Sequence, residues 1–219
     1  MELEILSAYF PKYLEAFLLT VRIGIIGIGI SFILGIIAAF FIHFKIAFFA
    51  KFFTAYIELF RNTPLLVQLF LIYFGLPKIG IAIPAEVCGA LGLGLLGGSY
   101  MAEGFRSGLA AVADSQAEGA LALGMKKSQM FIFVIFPEAF YLSVPAVTAN
   151  IIFLLKETSV FSAISLMDLM FRAKDLIGLY YNTKEALFLL VIFYMIMLVP
   201  VSIAANLIEG RVHYKMFGA

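Results

Sequence analysis

Ten polar side chains fall within or beside strongly apolar stretches: Arg22, Glu58, Arg61, Glu103, Arg106, Glu138, Lys156 and Glu157, with Gln68 and Asn150 as uncharged companions. Ionisable groups in such surroundings are costly, so they turn toward a bundle interior or a water-filled path. Glu58–Arg61 and Glu103–Arg106 are each three residues apart, which puts each pair on one helix face. Two readings follow. Either these are intrahelical ion pairs that fix helix orientation, or some of them line a polar route, with Gln68, Glu103, Asn150 and Glu157 as its candidates. Catalysis is not indicated, because no Ser/His/Asp or Cys/His arrangement stands out. His43 and His213 are far apart and have no Cys or carboxylate at ligand spacing, so no metal site is indicated either. Cys88 is the only cysteine, which leaves no internal disulfide.

The elements that must hold these residues are set by composition. Of 219 residues, 63% are hydrophobic and 13% charged, against about 25% charged in a soluble domain. Mean hydropathy is +1.06. Residues 23–44, 62–77, 87–102, 139–155 and 186–208 carry no Asp, Glu, Lys or Arg. A helix needs about 20 apolar residues to cross the hydrocarbon core, and the last run meets that alone. The runs are continuous and rich in Leu, Ile, Phe and Gly instead of alternating, which excludes a closed barrel. The reading is an all-α membrane protein with about five transmembrane helices, near 13–42, 55–77, 85–108, 131–155 and 186–208. The start, Met1-Glu2-Leu3-Glu4, is acidic where a signal peptide is basic, so the first helix is expected to remain as a span. A net charge of +1 offers no basic surface for nucleic acid.

The first span carries Gly27, Ser31, Gly35 and Ala39, each four apart, a small-residue stripe that lets another helix approach closely. The third is glycine-dense at Gly89, Gly92, Gly94, Gly97 and Gly98. Tight packing accounts for both; a helix that shifts during a working cycle is the other reading. The connections 109–130 and 156–185 are too long for simple turns, and loops of that length are usually functional or disordered. No internal repeat or linker divides the chain, so 13–208 reads as one domain followed by a tail over 209–219. Basic residues in short loops near helix ends favour the side of Lys45, Lys51, Lys126 and Lys127 as cytoplasmic.

Residues 113–127 read Ala-Asp-Ser-Gln-Ala-Glu-Gly-Ala-Leu-Ala-Leu-Gly-Met-Lys-Lys. Ser115 with Glu118 has the spacing of a capping box. Gly124 stands where a left-handed residue would stop the helix, with Lys126 and Lys127 beside its negative end. The spacing predicts a helix of about two turns that is either a connector on the membrane surface or a peg for a groove in another protein. Gly119 and Gly124 have the opening spacing of a phosphate-binding loop, but Met125 occupies the lysine position and no strand precedes it.

Glu118-Gly119-Ala120, then Gly124, then Phe136-Pro137 resembles the EAA signature of ABC importer permeases. Three further blocks extend the likeness to the polar amino acid uptake family: Glu58 to Gln68 at the second span, Tyr100-Met101-Ala102-Glu103-Gly104-Phe105-Arg106 ending the third, and Leu154 to Ser159. Three positions depart from the pattern. Gly119 replaces the middle alanine, which loosens the short helix by up to about 1 kcal/mol; Ser115 stands where glycine usually precedes Gln116; and Phe136 replaces leucine. The resemblance implies a type I ABC importer permease fold in a bacterial inner membrane, with 109–130 as the cytoplasmic coupling loop. It assigns contact with a separate ATPase subunit to Ser115, Gln116, Glu118, Gly119, Ala120, Gly124, Lys126 and Pro137. ATP and Mg would then belong to that ATPase, and this chain would need no cofactor. A second permease copy or homologue and an external binding protein would complete the assembly. In the route reading, Gln68, Glu103, Asn150 and Glu157 would meet the ammonium and carboxylate groups of an amino acid. The competing class is a self-contained secondary carrier or channel, which often shows inverted repeats.

Overall fold

The computed structural model describes residues 3–218; Met1, Glu2 and Ala219 lie outside it. Among the described residues every regular element is helical: α1 Leu3–His43, α2 Ala47–Arg61, α3 Leu65–Phe70, α4 Ala85–Ala111, α5 Asp114–Ala122, α6 Lys127–Met130, α7 Phe136–Glu157, α8 Leu169–Tyr180 and α9 Thr183–Phe217. Four helical stretches are long and apolar enough to cross a membrane: Ser7–His43, Ala85–Ala111, Lys127–Ile164 and Thr183–Val212.

The segment expected as a single span at 55–77 is not one straight helix. It is a pair, Ala47–Arg61 and Leu65–Ile79, bent by 105°. Pro64 has no N–H to continue the helix, and its ring disfavours helical backbone at the residue before it. The bend is stapled locally: Asn62 Nδ2 donates to the Glu58 carbonyl at 2.7 Å, and Thr63 Oγ1 to the Leu59 carbonyl at 2.9 Å. Beyond α3 the chain widens into a π-helical turn, Leu71–Gly75, and closes in a tight turn, Leu76–Ile79.

α4 is the central helix. On one side it meets α1, where the expected small-residue stripe forms the seam. A Cβ on Gly35 would lie 2.5 Å from Met101 Cβ and 3.0 Å from the Ala102 backbone nitrogen, so only glycine fits. Ser31 Oγ, itself buried, reaches the carbonyls of Gly27 at 2.8 Å and Leu93 at 3.2 Å. The contacts Arg22–Glu86, Gly27–Leu93 and Gly35–Met101 advance together, so α1 and α4 run parallel. On its other side α4 meets α7, running antiparallel: Gly97 faces Leu154, Gly104 faces Ala146, and Gly108 faces Ser143. The glycines of α4 are thus used for close packing.

With 41 residues, α1 is about 60 Å long, twice the hydrocarbon thickness. The helix begins well before the expected residue 13. Its N-terminal half extends past the end of α4 and packs on α8 and α9. Tyr13 is fully buried there and donates to the Ala186 carbonyl at 3.0 Å. The rings of Phe10, Tyr13 and Phe17 surround Phe193 of α9. α9 also runs on through 209–217 as helix where a tail was expected, and Glu209 is hydrogen-bonded to Thr148 of α7.

Candidate functional site

Two regions gather the residues singled out by sequence. The first is the segment around α5, on the end of the bundle where α4 finishes. Its expected start is corrected. The N-cap is Ala113, and no side chain caps it. Ser115 already lies in the first helical turn, where its hydroxyl is not placed to accept from residue 118, so the Ser115–Glu118 box does not form. The stop is as the spacing indicated. Gly124 takes φ +78, its N–H bonds the Leu121 carbonyl at 2.9 Å, and Met125 N–H bonds the Ala120 carbonyl at 3.1 Å. This is the paired closure of a Schellman motif, which needs a left-handed residue at this point.

The rest of α5 is turned away from the chain. Ala120 is its one buried residue, while Ser115, Gln116, Glu118 and Gly119 are exposed. Leu121 and Leu123 are exposed as well, the latter at 82%. Lys126, also exposed, N-caps α6 through its backbone N–H, which bonds Gln129 Oε1 at 2.9 Å. Pro137 stands at the start of α7, directly after a π-helical turn, Phe131–Ile135. Wide turns of this kind recur at functional places in helices.

The second region lies between α2 and α4, beside the 62–64 bend. A cavity of about 340 Å³ is lined by Glu58, Arg61, Asn62, Tyr100, Glu103 and Arg106, among others. A neighbouring cavity of about 550 Å³ shares Arg61, Asn62 and Tyr100 and adds Glu157. Glu103 sits between two guanidinium groups: Arg106 Nη1 at 2.5 Å and Arg61 Nη1 at 3.9 Å. Of the two intrahelical pairs expected, only Glu103–Arg106 forms. Arg61 crosses from α2 to Glu103 and lies over the Tyr100 ring, 5.2 Å from its centre. The cause is the bend, which ends α2 at Arg61 and frees its side chain to reach α4. Glu58 lines the cavity and makes no ion pair among the described residues.

The four route candidates separate. Glu103 and Glu157 face the two joined cavities. Asn150 is half-buried and donates to the Tyr100 carbonyl at 3.1 Å, bracing the wall they share. Gln68 is buried and directed to the bend: its Nε2 reaches the Phe60 carbonyl at 3.1 Å, the Thr63 carbonyl at 3.0 Å and Thr63 Oγ1 at 2.9 Å. It holds the kink and does not face the cavities.

Sequence reasoning missed three interactions. Arg22 pairs with Glu86 across α1 and α4. Tyr56 Oη donates to the Leu95 carbonyl at 2.6 Å, tying α2 to α4. Asp168 is fully buried and N-caps α8, its Oδ1 accepting from Phe171 N–H at 3.0 Å. Burial pushes the Asp168 carboxyl up to about 7, against the opposing pull of backbone N–H groups and of Lys174. An Asp just ahead of an apolar helix is a start signal that the sequence does carry.

Comparison with known proteins bears on the chain as a whole. Residues 31–214 match the family described as binding-protein-dependent transport system inner membrane component. The chain is 29% identical over 211 residues to the probable glutamine ABC transporter permease protein GlnM of Bacillus subtilis (strain 168), covering 96% of this chain and 98% of that one. It is 32% identical over 212 residues to the putative glutamine transport system permease protein GlnP of Rickettsia felis, covering 95% and 97%. A crystal structure of an amino acid ABC transporter with histidines superposes with a TM-score of 0.90 at 31% identity, over 96% of this chain and 99% of that chain.

Proposed function

The chain belongs to the family of binding-protein-dependent transport system inner membrane components, and on that premise we propose that it passes polar amino acids across the membrane under the drive of separate ATPase subunits. It is a membrane-spanning permease subunit of an ATP-binding-cassette importer and is not itself an enzyme. The self-contained carrier gives way to this reading.

The observation that carries the ATPase half of the proposal is α5. A helix closed firmly at Gly124 but fully buried against its own chain only at Ala120 leaves an exposed face without a partner among the described residues. Ser115, Gln116, Glu118, Gly119, Lys126 and the leucines beside them would seat in a groove of the ATPase, which would put this end of the bundle in the cytoplasm. Pro137 and the π-helical turn before it would pass the movement into α7. ATP and Mg would be held by the ATPase, with a second permease subunit completing the gate.

The cargo half rests on the joined cavities. A free amino acid carries one ammonium and one carboxylate. Carboxylates at Glu103 and Glu157 suit the former, and the planar forks of Arg61 and Arg106 suit the latter. An external binding protein would deliver the cargo at the opposite end. The relatives' names speak of glutamine, and a polar amino acid fits a cavity lined by charges of both signs.

The test is made in the complete complex, reconstituted in vesicles with its binding protein. Glu118→Trp and Gly124→Val are each expected to abolish ATP-dependent uptake and to weaken retention of the ATPase on the permease. Uptake and ATPase retention both at wild-type level would overturn the docking role of α5.

A further inference from the structure

We propose that an acidic phospholipid of the leaflet on the α5 side is held in an apolar groove between the end of α1 and the start of α7, with its headgroup on Lys45 and Lys127. The groove encloses about 320 Å³, within the range of small-molecule sites. Its wall is aromatic: Phe40, Phe44, Phe131, Phe136 and Phe140 contribute, with His43 at the rim. Phe131 closes it from the α7 side, 4.8 Å from the Phe44 ring centre and 5.6 Å from that of His43. None of the ten polar residues considered for the route enters it.

Depth and charge together name the occupant. The two spans that form the groove end at His43 and begin at Lys127, so the cavity lies just inside the hydrocarbon boundary. Lys45 follows Phe44 in the reversal between α1 and α2, and Lys126 and Lys127 precede Phe131 by about one helical turn. All three lysines are exposed. The ion pairs among the described residues lie elsewhere, so none of these cations has an acidic partner within the described chain. Glu138, the acid nearest the groove in sequence, forms no pair with them. An apolar slot under unpaired cations at a membrane boundary matches an acyl chain below an anionic headgroup, with long lysine stems reaching up to it. A zwitterionic lipid would fill the slot but would gain less from the lysines.

The groove touches the segment that leads out of α5. Phe131 opens the π-helical turn, and α6 ends one residue before it. An acyl chain here would fill the space between Phe131 and the end of α1 and brace the start of the π-helical turn.

The test uses the complete importer in nanodiscs made of equal phosphatidylcholine and phosphatidylglycerol, released intact into a native mass spectrometer. The wild-type complex is expected to retain phosphatidylglycerol in preference, at one molecule per permease chain. Charge reversal in the pair Lys45→Glu and Lys127→Glu is expected to lower that preference roughly thirtyfold, since two cations near a surface contribute about 1 kcal/mol each toward an acidic lipid. Leu109→Trp, at the half-buried floor, is expected to lower retention of both lipids while the assembled mass is unchanged. The proposal is overturned if the wild type retains no phospholipid, or both in equal amounts, or if the charge-reversed pair keeps the wild-type preference. A photoreactive group at Phe44 that crosslinks to a second permease instead of to lipid overturns it as well.

Discussion

α5 and α8 are short helices that each join two consecutive spans, at opposite ends of the bundle, and they are anchored in opposite ways. α8 is bolted to its own chain. Leu169, Ala173 and Leu176 are buried in one cluster with Tyr13, Ala186 and Phe193. Asp168 caps its start, and Thr20 of α1 accepts the Leu169 N–H at 3.2 Å. α5 has one buried residue, no side-chain cap, and leucines left in the open. Chain length does not explain the contrast, because α5 has nine residues and α8 twelve. The difference is in where the packing partner resides. One helix completes the fold, and the other leaves its face open.

The widest gap should appear in stability. Leu176→Ala empties a fully buried site and should cost about 2–5 kcal/mol, measured as a lower midpoint of unfolding for the purified chain. Leu123→Ala, just after α5 and exposed, should change that midpoint by no more than about 0.5 kcal/mol. Equal losses at the two positions would erase the distinction between a bolted helix and an open one.

Next in size is a pH effect confined to α8. Asp168 has its carboxyl raised from 3.8 to about 7 by burial, so the folded chain holds a proton there that the unfolded chain has released. Stability should therefore fall as pH rises from about 4 to about 7, by an amount on the order of 4 kcal/mol, and stay flat above. Asp168→Asn keeps an oxygen acceptor for the Phe171 N–H and has no charge to desolvate. It should flatten that slope and make the chain more stable than wild type at a pH of about 8. A slope that survives in Asp168→Asn would move the titration to another group.

Much of this contrast is legible in the chain, and the reason lies in range. Continuous apolar runs report the membrane directly, because lipid demands them along a whole helix. The small-residue stripe of α1 and the stop at Gly124 are likewise local and have few alternatives. The cap of α5 is harder to read, because Ala113, Asp114 and Ser115 offer competing starts and the helix begins before serine can act. Asn62-Thr63-Pro64 is a visible break signal masked by the uncharged run around it. The switch of Arg61 from Glu58 to Glu103 depends on a bend and on a helix distant in sequence, which no spacing within α2 can report. Gln68 resembles a route residue for the same reason: only the kink shows what its amide holds.

The smallest prediction separates the two helices most finely, and it concerns Gly119. A Cβ added there meets nothing within 4 Å, whereas one added at Gly35 in the α1–α4 seam meets Met101 at 2.5 Å. Alanine should thus enter α5 without a clash and raise its helix propensity by up to about 1 kcal/mol. Because α5 is so weakly joined to the core, that gain should stay local. Amide hydrogen exchange over 114–122 should slow by up to about fivefold, while the unfolding midpoint of the whole chain moves little. Exchange that stays the same or quickens would mean that Gly119 is packed after all and that α5 is not open. With the ATPase present, a different result is expected if its groove closes over residue 119: the methyl group would then weaken retention even though it steadies the helix. A variant that stabilises the free helix while loosening the complex would show that the space beside Gly119 is reserved for the partner.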